Sequence, residues 1–163
     1  MSSPISNTGP SASNKPGRGE RLLTLGTARQ MVPLVSRIVQ DILASRHELA
    51  LLRPEQVRLD RERRSLDWPE RSRRYQLQDR IIAEENRLQG ALEELDGLGV
   101  LLLDPLKGQI GFPTLVNDRR AFFSWKLGEE RLNHWHFLGE KVRRRIPASW
   151  EEGELVFKKK KGK

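Results

Sequence analysis

The chain has 163 residues, of which 32% are charged and 36% hydrophobic, and 30 Lys and Arg against 22 Asp and Glu give a formal charge of +8. It contains no run of about 18 apolar residues, so the sequence predicts no transmembrane helix and no contact with a membrane. Cys is absent, which excludes disulfides, thiolate zinc sites, iron–sulfur clusters and cysteine nucleophiles, and which favours a cytoplasmic location.

The two ends of the chain differ in composition from its middle. Residues 1–21 are rich in Ser, Pro and Gly and have no apolar core, so we expect a disordered leader rather than a secretory signal. Residues 141–163 hold nine Lys and Arg against three Glu, and residues 151–163 are predicted to be a basic disordered tail. We therefore expect one folded domain over residues 22–150.

Basic blocks of this kind are usually solvated, but they also attract polyanions in a salt-dependent way. The candidate nucleic-acid contacts are Arg143, Arg144, Arg145, Lys158, Lys159, Lys160 and Lys161. No RNA-binding signature accompanies them, so the sequence favours non-specific contact over base readout.

The first half of the domain shows helical periodicity over residues 24–97. Thr24 is a suitable N-cap for a first helix, which is predicted to end at Arg53 because Pro54 follows. Residues 54–66 are very polar and fit either a short exposed helix or a loose tip. A second helix is predicted to begin after Asp67, with its apolar face including Tyr75 and Ile82, and to end at Gly97 in a left-handed cap.

The similar lengths of these helices, about 27 residues each, favour an antiparallel hairpin, although a parallel coiled-coil dimer remains an alternative. After Gly97 the sequence predicts three short strands (residues 100–103, 109–112 and 120–127), the second interrupted by Pro113 and the next turn at Asn117–Asp118. The predicted fold is therefore α+β, with a long antiparallel helical hairpin packed at its base on a small three-stranded antiparallel sheet.

Two histidines follow the predicted strands. In an extended segment, His134 and His136 point to the same side and Trp135 to the other. Two imidazoles on one side, with Glu129, Glu130 or Glu140 as an oxygen donor, could ligate a divalent transition metal or transfer protons near neutral pH. The alternative is a structural role, in which the imidazoles bond to the backbone or a carboxylate while Trp125 and Trp135 pack in the core.

The later motifs resemble those of a known family. The stretch from Trp125 through Gly128 to Glu129, followed by His134-Trp135-His136, is similar to the bacterial family catalogued as domain of unknown function 2203. The resemblance spans about residues 22–147 and implies no established activity. Phe137 and Gly139 stand where this family is expected to carry acidic residues.

Two hypotheses of function follow from these patterns. The first is a non-catalytic interaction module, with a protein partner, a second copy of the chain or non-specific nucleic acid as the partner. The second is a metal-binding protein or metal-dependent enzyme that uses His134, His136 and Glu129. The candidate functional site in either case comprises Trp125, Glu129, His134, Trp135 and His136.

Overall fold

The computed structural model describes residues 21–150, and the predicted leader and basic tail fall almost wholly outside these residues. The elements are α1 (Leu25–Arg61), α2 (Trp68–Gly97), β1 (Leu101–Asp104), β2 (Gln109–Val116), β3 (Arg119–Lys126), β4 (His134–Phe137), β5 (Arg144–Arg145) and a final 3-10 turn (Ala148–Trp150). The predicted α+β class is confirmed. Neither described helix has a stretch long and apolar enough to cross a bilayer.

Helix α1 is longer than the sequence predicted. It begins after Thr24, whose hydroxyl accepts a hydrogen bond from the Thr27 N–H as an N-cap does. It then continues through Pro54 to Arg61, so the predicted end at Arg53 is wrong. Pro54 has no N–H and so costs the helix one backbone hydrogen bond. Burial of the leucines on both sides of Pro54 in one apolar cluster compensates for this loss. The buried members of this cluster are Leu49, Leu52, Leu59, Leu66, Leu77 and Ile81.

Helix α2 begins as predicted, with the Asp67 carboxylate accepting from the Glu70 N–H at 3.0 Å. Its end differs in detail, because Gly97 is the last helical residue and the positive φ of +76° belongs to Gly99. The buried face is also narrower than predicted, since Tyr75 and Ile82 are exposed. The buried α2 positions are Leu77, Ile81, Ala91 and Leu95.

Ion pairs connect the two helices in antiparallel order. Glu55 accepts two hydrogen bonds of 2.9 Å from Arg73, Asp60 pairs with Arg74 at 2.8 Å, and Glu48 contacts Arg80. Because Glu48 precedes Glu55 on α1 while Arg80 follows Arg73 on α2, the helices run in opposite directions. The contacts therefore agree with an intramolecular helix pair.

Within residues 21–150 the sheet has five antiparallel strands in the order β1-β2-β3-β4-β5, whereas the sequence predicted three. Strands β4 and β5 contain four and two residues, which are at and below the shortest run in which period-two alternation identifies a strand. The predicted turn between β2 and β3 is present, with Asn117 and Asp118 at φ 52° and 61°. Two left-handed residues in a two-residue loop match the twist of the strands they join.

Strand β2 also continues through Pro113, where the sequence predicted an interruption. The Pro113 carbonyl accepts from the Leu23 N–H at 2.8 Å, on the side away from β3. The N and C=O of one strand residue point to the same side, so the missing N–H of Pro113 removes no bond to β3.

The two faces of the sheet have different surroundings. The register aligns Phe112, Phe123 and Trp135, which are buried with residues of both helices in the main core. The opposite face, here called the outer face, carries Gly111, Ser124, Phe122, His134 and His136. The candidate site residues are thus divided between the core and the outer face.

Candidate functional site

Strand pairing places both histidines on the outer face, as the spacing predicted. His134 lies opposite Ser124 and His136 lies opposite Phe122 on β3. Trp135 points to the core, where its ring makes an edge contact with Phe137 at a centroid separation of 4.9 Å. The arrangement separates the imidazoles from the tryptophan by the thickness of the sheet.

Trp125 fixes the turn that positions Glu129. Its ring is buried in the core, and its indole N–H donates to the Glu129 carbonyl at 3.0 Å. Gly128, at φ +100°, allows the chain to reverse there, and the Glu129 N–H donates to the Lys126 carbonyl. Residues 125–129, Trp-Lys-Leu-Gly-Glu, therefore form the turn that holds Glu129 at the end of β3.

The Glu129 carboxylate joins two basic side chains. One oxygen contacts an Arg143 Nη2 at 2.5 Å, and the other lies 3.1 Å from His134 Nδ1. The contact with His134 is a short electrostatic one that is not aligned as a hydrogen bond. These side chains are largely shielded from solvent, so the Glu129–Arg143 pair is a partly buried ion pair.

Arg143 extends from Glu129 to Ser124 on β3. It donates to the Ser124 hydroxyl at 3.0 Å and to the Ser124 carbonyl at 2.9 Å. The same hydroxyl accepts a 3.1 Å bond from Gln109 on β2. Arg143 therefore connects the segment before β5 to the middle of the sheet.

A Ser, a His and a Glu thus lie close together, in the combination that serine hydrolases use. Ser124 is fully buried, however, and its hydroxyl accepts from Gln109 and Arg143, with no hydrogen bond to His134. A nucleophile needs a base within hydrogen-bond reach and access to substrate. The arrangement of Ser124 is that of a structural residue.

His136 has one satisfied and one unsatisfied nitrogen. Its Nδ1 lies 2.9 Å from the Phe137 carbonyl, and because a carbonyl only accepts, the proton is on Nδ1. Its Nε2 is buried and has no partner among the described residues. His136 is 5% exposed, and its ring lies 5.6 Å from the Phe122 ring, centroid to centroid.

The predicted metal ligands converge only in part. Glu129 and His134 are in contact, but Glu129 is also bound to Arg143, and His136 Nδ1 bonds to the backbone. Across residues 21–150, no group of three or more His, Asp or Glu is arranged to hold a metal ion.

The predicted nucleic-acid contacts fall into three groups. Arg143 is bound to Glu129 and Ser124, and Arg144 is paired with Glu140 at 2.7 Å and lies 5.1 Å from the Trp135 ring centroid. Arg145 is exposed on β5. Lys158 to Lys161 lie outside the described residues.

A cavity of about 620 Å³ lies on the outer face of the sheet, and His136 and Phe122 are part of its wall. Its apolar wall includes Leu103 and Phe122, which come so close above Gly111 that a Cβ there would lie 2.8–3.0 Å from them. Its polar wall consists of His136, Asp104, Lys107, Gln109, Glu140 and Lys141. The β1–β2 turn and the segment after β4 thus contribute to the same cavity.

Sequence reasoning missed Ser124, Gln109, Phe122 and the positioning role of Arg143. Phe122 and Ser124 are two residues apart on a strand that was predicted, so their shared face could be read from the sequence. Their register against His134 and His136 depends on β4, which was not predicted as a strand.

Comparison with known protein families places the chain in a family. A model of the family described as uncharacterized conserved protein (DUF2203) matches residues 21–148, whereas no curated protein and no solved structure shows significant similarity. The matched range covers nearly all of the residues that the structure describes and most of the chain. The chain therefore belongs to the DUF2203 family of uncharacterized conserved proteins.

Proposed function

We propose that the protein is a non-catalytic interaction module whose helix pair binds a second copy of the chain. The observation that carries this proposal is a row of large apolar side chains left in solvent on α2. Trp68, Tyr75 and Ile82 are 76%, 62% and 48% exposed. They recur every seven residues, close to two helical turns, so they lie nearly in line along the helix.

We call Trp68, Tyr75 and Ile82 the α2 stripe. It extends about 21 Å along the helix, at 1.5 Å per residue. Seven-residue apolar spacing is typical of surfaces that pack against another helix. Within the helix pair, α2 already uses Leu77 and Ile81 to contact α1, so the stripe is a second apolar row, and residues 21–150 do not cover it.

The sheet end of the molecule supports a scaffold role. The main core unites both helices with the sheet, while Leu52, Leu59 and Leu66 belong to a separate cluster toward the far ends of the helices. The helical segments far from the sheet therefore pack against each other, while the segments near the sheet pack against its core face. In this proposal the helices present the binding surface and the sheet orients it.

Sedimentation velocity of the full chain over a concentration series tests the proposal. We expect the sedimentation coefficient to rise with concentration, and we expect Tyr75→Glu to abolish that rise by placing a charge in the stripe. Gln76→Glu is the matched control, because it adds the same charge at the adjacent exposed position. A wild-type chain that sediments as a monomer throughout, or equal effects of the two substitutions, would contradict the proposal.

Contact with polyanions through Arg145 and Lys158–Lys161 is a second part of the interaction role, since Arg143 and Arg144 are already paired with carboxylates. It is supported by the net charge of +6 in residues 141–163. Binding to a generic single-stranded RNA should weaken when salt is raised and when residues 151–163 are deleted. Binding that responds to neither change would remove this part of the proposal.

A further inference from the structure

The cavity on the outer face combines three features that a ligand site needs. Leu103 and Phe122 provide apolar surface, Lys107 and Lys141 provide positive charge, and His136, which also lines the cavity, has a buried ring nitrogen without a partner among the described residues. At about 620 Å³ the cavity falls within the range of small-molecule sites. This site is separate from the α2 stripe and does not depend on the proposed self-association.

The carboxylates in the cavity wall are already engaged. One Asp104 oxygen accepts from the Leu106 and Lys107 backbone N–H groups at 2.9 and 3.1 Å. Glu140 is bound to Arg144, and the hydrogen bond from that guanidinium holds the pKa of the Glu140 carboxyl below its ordinary value. Glu140 therefore stays ionised, with its charge balanced by Arg144.

The lysines are not engaged in this way. Among residues 21–150, neither Lys107 nor Lys141 has a carboxylate partner within 4.0 Å. Lys107 lies in the turn between β1 and β2, Lys141 lies in the segment after β4, and both line the cavity. Backbone N–H groups leave the negative charge of Asp104 in place, but Glu140 is balanced by Arg144, so the two lysines give the cavity wall a net positive charge. A ligand with an anionic group would complete two ion pairs.

His136 determines a further requirement on the ligand. Its Nδ1 proton is directed at the Phe137 carbonyl, so Nε2 is the ring nitrogen left to accept a hydrogen bond. Leaving such an atom buried and unpaired is costly, and a donor group on the ligand would remove that cost. The adjacent Phe122 ring offers an aromatic surface to a planar ligand.

We propose that this cavity binds a small aromatic anion that carries an N–H or O–H donor. The anionic group contacts Lys107 and Lys141, the ring system lies against Leu103 and Phe122, and the donor bonds to His136 Nε2. No chemical change of the ligand is part of this proposal.

The probe that fits these requirements is 8-anilinonaphthalene-1-sulfonate, which has an aromatic body, a sulfonate and an N–H. Its fluorescence on titration with the full chain should saturate. N-phenyl-1-naphthylamine is the matched neutral probe, because it has the same rings and N–H without the sulfonate. The double variant Lys107→Ala/Lys141→Ala should weaken binding of the sulfonate about fivefold, as the loss of exposed ion pairs does, and leave the neutral probe unaffected.

The control for the loss of charge is Arg37→Ala/Arg46→Ala, two exposed positions on α1. It removes the same charge without touching the cavity, so sulfonate binding should be unchanged. Tyr75→Glu serves as a second control, because an apolar probe can also adhere to the α2 stripe. Binding lost with Tyr75→Glu and retained in the lysine variant would overturn the proposal.

Imidazole ¹⁵N spectra of the wild-type chain give a readout that needs no substitution. Addition of the sulfonate should shift the Nε2 resonance of His136 toward the hydrogen-bonded range and leave the resonances of His134 and His47 in place. Absence of saturable binding, a lysine variant that binds as the wild type does, or a His136 resonance that does not move would each overturn the proposal.

Discussion

Trp125 donates its indole N–H to the main-chain carbonyl of Glu129, at 3.0 Å, across the turn that follows β3. The tryptophan ring is in the core, and the Glu129 side chain reaches Arg143, which bonds to the opposite face of the sheet. One hydrogen bond thus links the packing of the core to the polar cluster on the outer face.

Trp125→Phe tests this link. The substitution keeps an aromatic ring but removes the indole N–H and leaves a small void, so we expect about 1–3 kcal/mol of lost stability. Urea unfolding measures the loss. Trp150→Phe, at a partly buried site on the rim of the core, is the control and should cost less. Equal losses for the two variants would show that the bond to Glu129 contributes nothing.

The partly buried pair of Glu129 and Arg143 should matter more than the exposed pair of Glu140 and Arg144. Glu129→Gln leaves the Arg143 charge without its partner, and we expect a cost of about 1–3 kcal/mol. Glu140→Gln is the matched control, and exposed pairs contribute about 0–1 kcal/mol. The comparison uses thermal and urea unfolding of both variants. A larger effect at Glu140 would contradict the described burial.

Pro54 lies inside α1 on its exposed side, so replacing it should stabilise the protein. Pro54→Ala restores a backbone N–H in the middle of a helix, and we expect a gain of about 1–3 kcal/mol in the free energy of unfolding. If α1 instead ended before Pro54, the substitution would be neutral or destabilising, since proline also restricts the unfolded chain. Urea denaturation distinguishes these results.

The pair of Glu55 and Arg73 predicts a pH dependence. The hydrogen bond from Arg73 holds the pKa of the Glu55 carboxyl below its ordinary value of 4.5. A carboxyl with a lowered folded-state pKa stabilises the fold above its unfolded-state pKa, and this contribution is lost as pH falls through the folded-state pKa. Glu55→Gln should therefore reduce the loss of stability below about pH 4.5, relative to the wild type.

Unfolding measured as a function of pH for the wild type and Glu55→Gln can also contradict this prediction. Because Arg73 is exposed and Glu55 is only partly buried, the difference between wild type and Glu55→Gln should be small, and it should shrink further at high salt. A Glu55→Gln variant that loses stability more steeply in acid than the wild type would contradict the sign of the shift.

The helices and the central strands could be predicted from sequence because their signals are local. The cap at Asp67 and the turn at Asn117–Asp118 depend on neighbouring residues only, and both are present. The prolines were misleading for the opposite reason. Whether Pro54 ends a helix depends on how the α1 leucines that flank it pack against Leu77 and Ile81 of α2. Whether Pro113 ends a strand depends on which side its N–H would face.

The contacts among Ser124, Glu129, His134 and Arg143 on the outer face could not be predicted from any local sequence pattern. The spacing of His134 and His136 correctly predicted that they share a side, but not that Ser124 and Phe122 lie opposite them. Arg143 was expected in a solvated basic block, and its bonds to Glu129 and Ser124 depend on how the chain returns to the sheet after β4. Long-range pairing of this kind is fixed by the fold.

The most direct test of the central claim, that the α2 stripe joins two copies of the chain, uses the absence of native cysteine. A spin label attached at Gln78→Cys, beside the stripe, should give a short inter-chain distance by pulsed dipolar spectroscopy, because packed helices lie about 8–10 Å apart. The same label at Gln40→Cys, on the exposed side of α1, should give a longer distance or none. If Gln78→Cys shows only the background of isolated molecules at concentrations where sedimentation detects larger species, the stripe is not the interface.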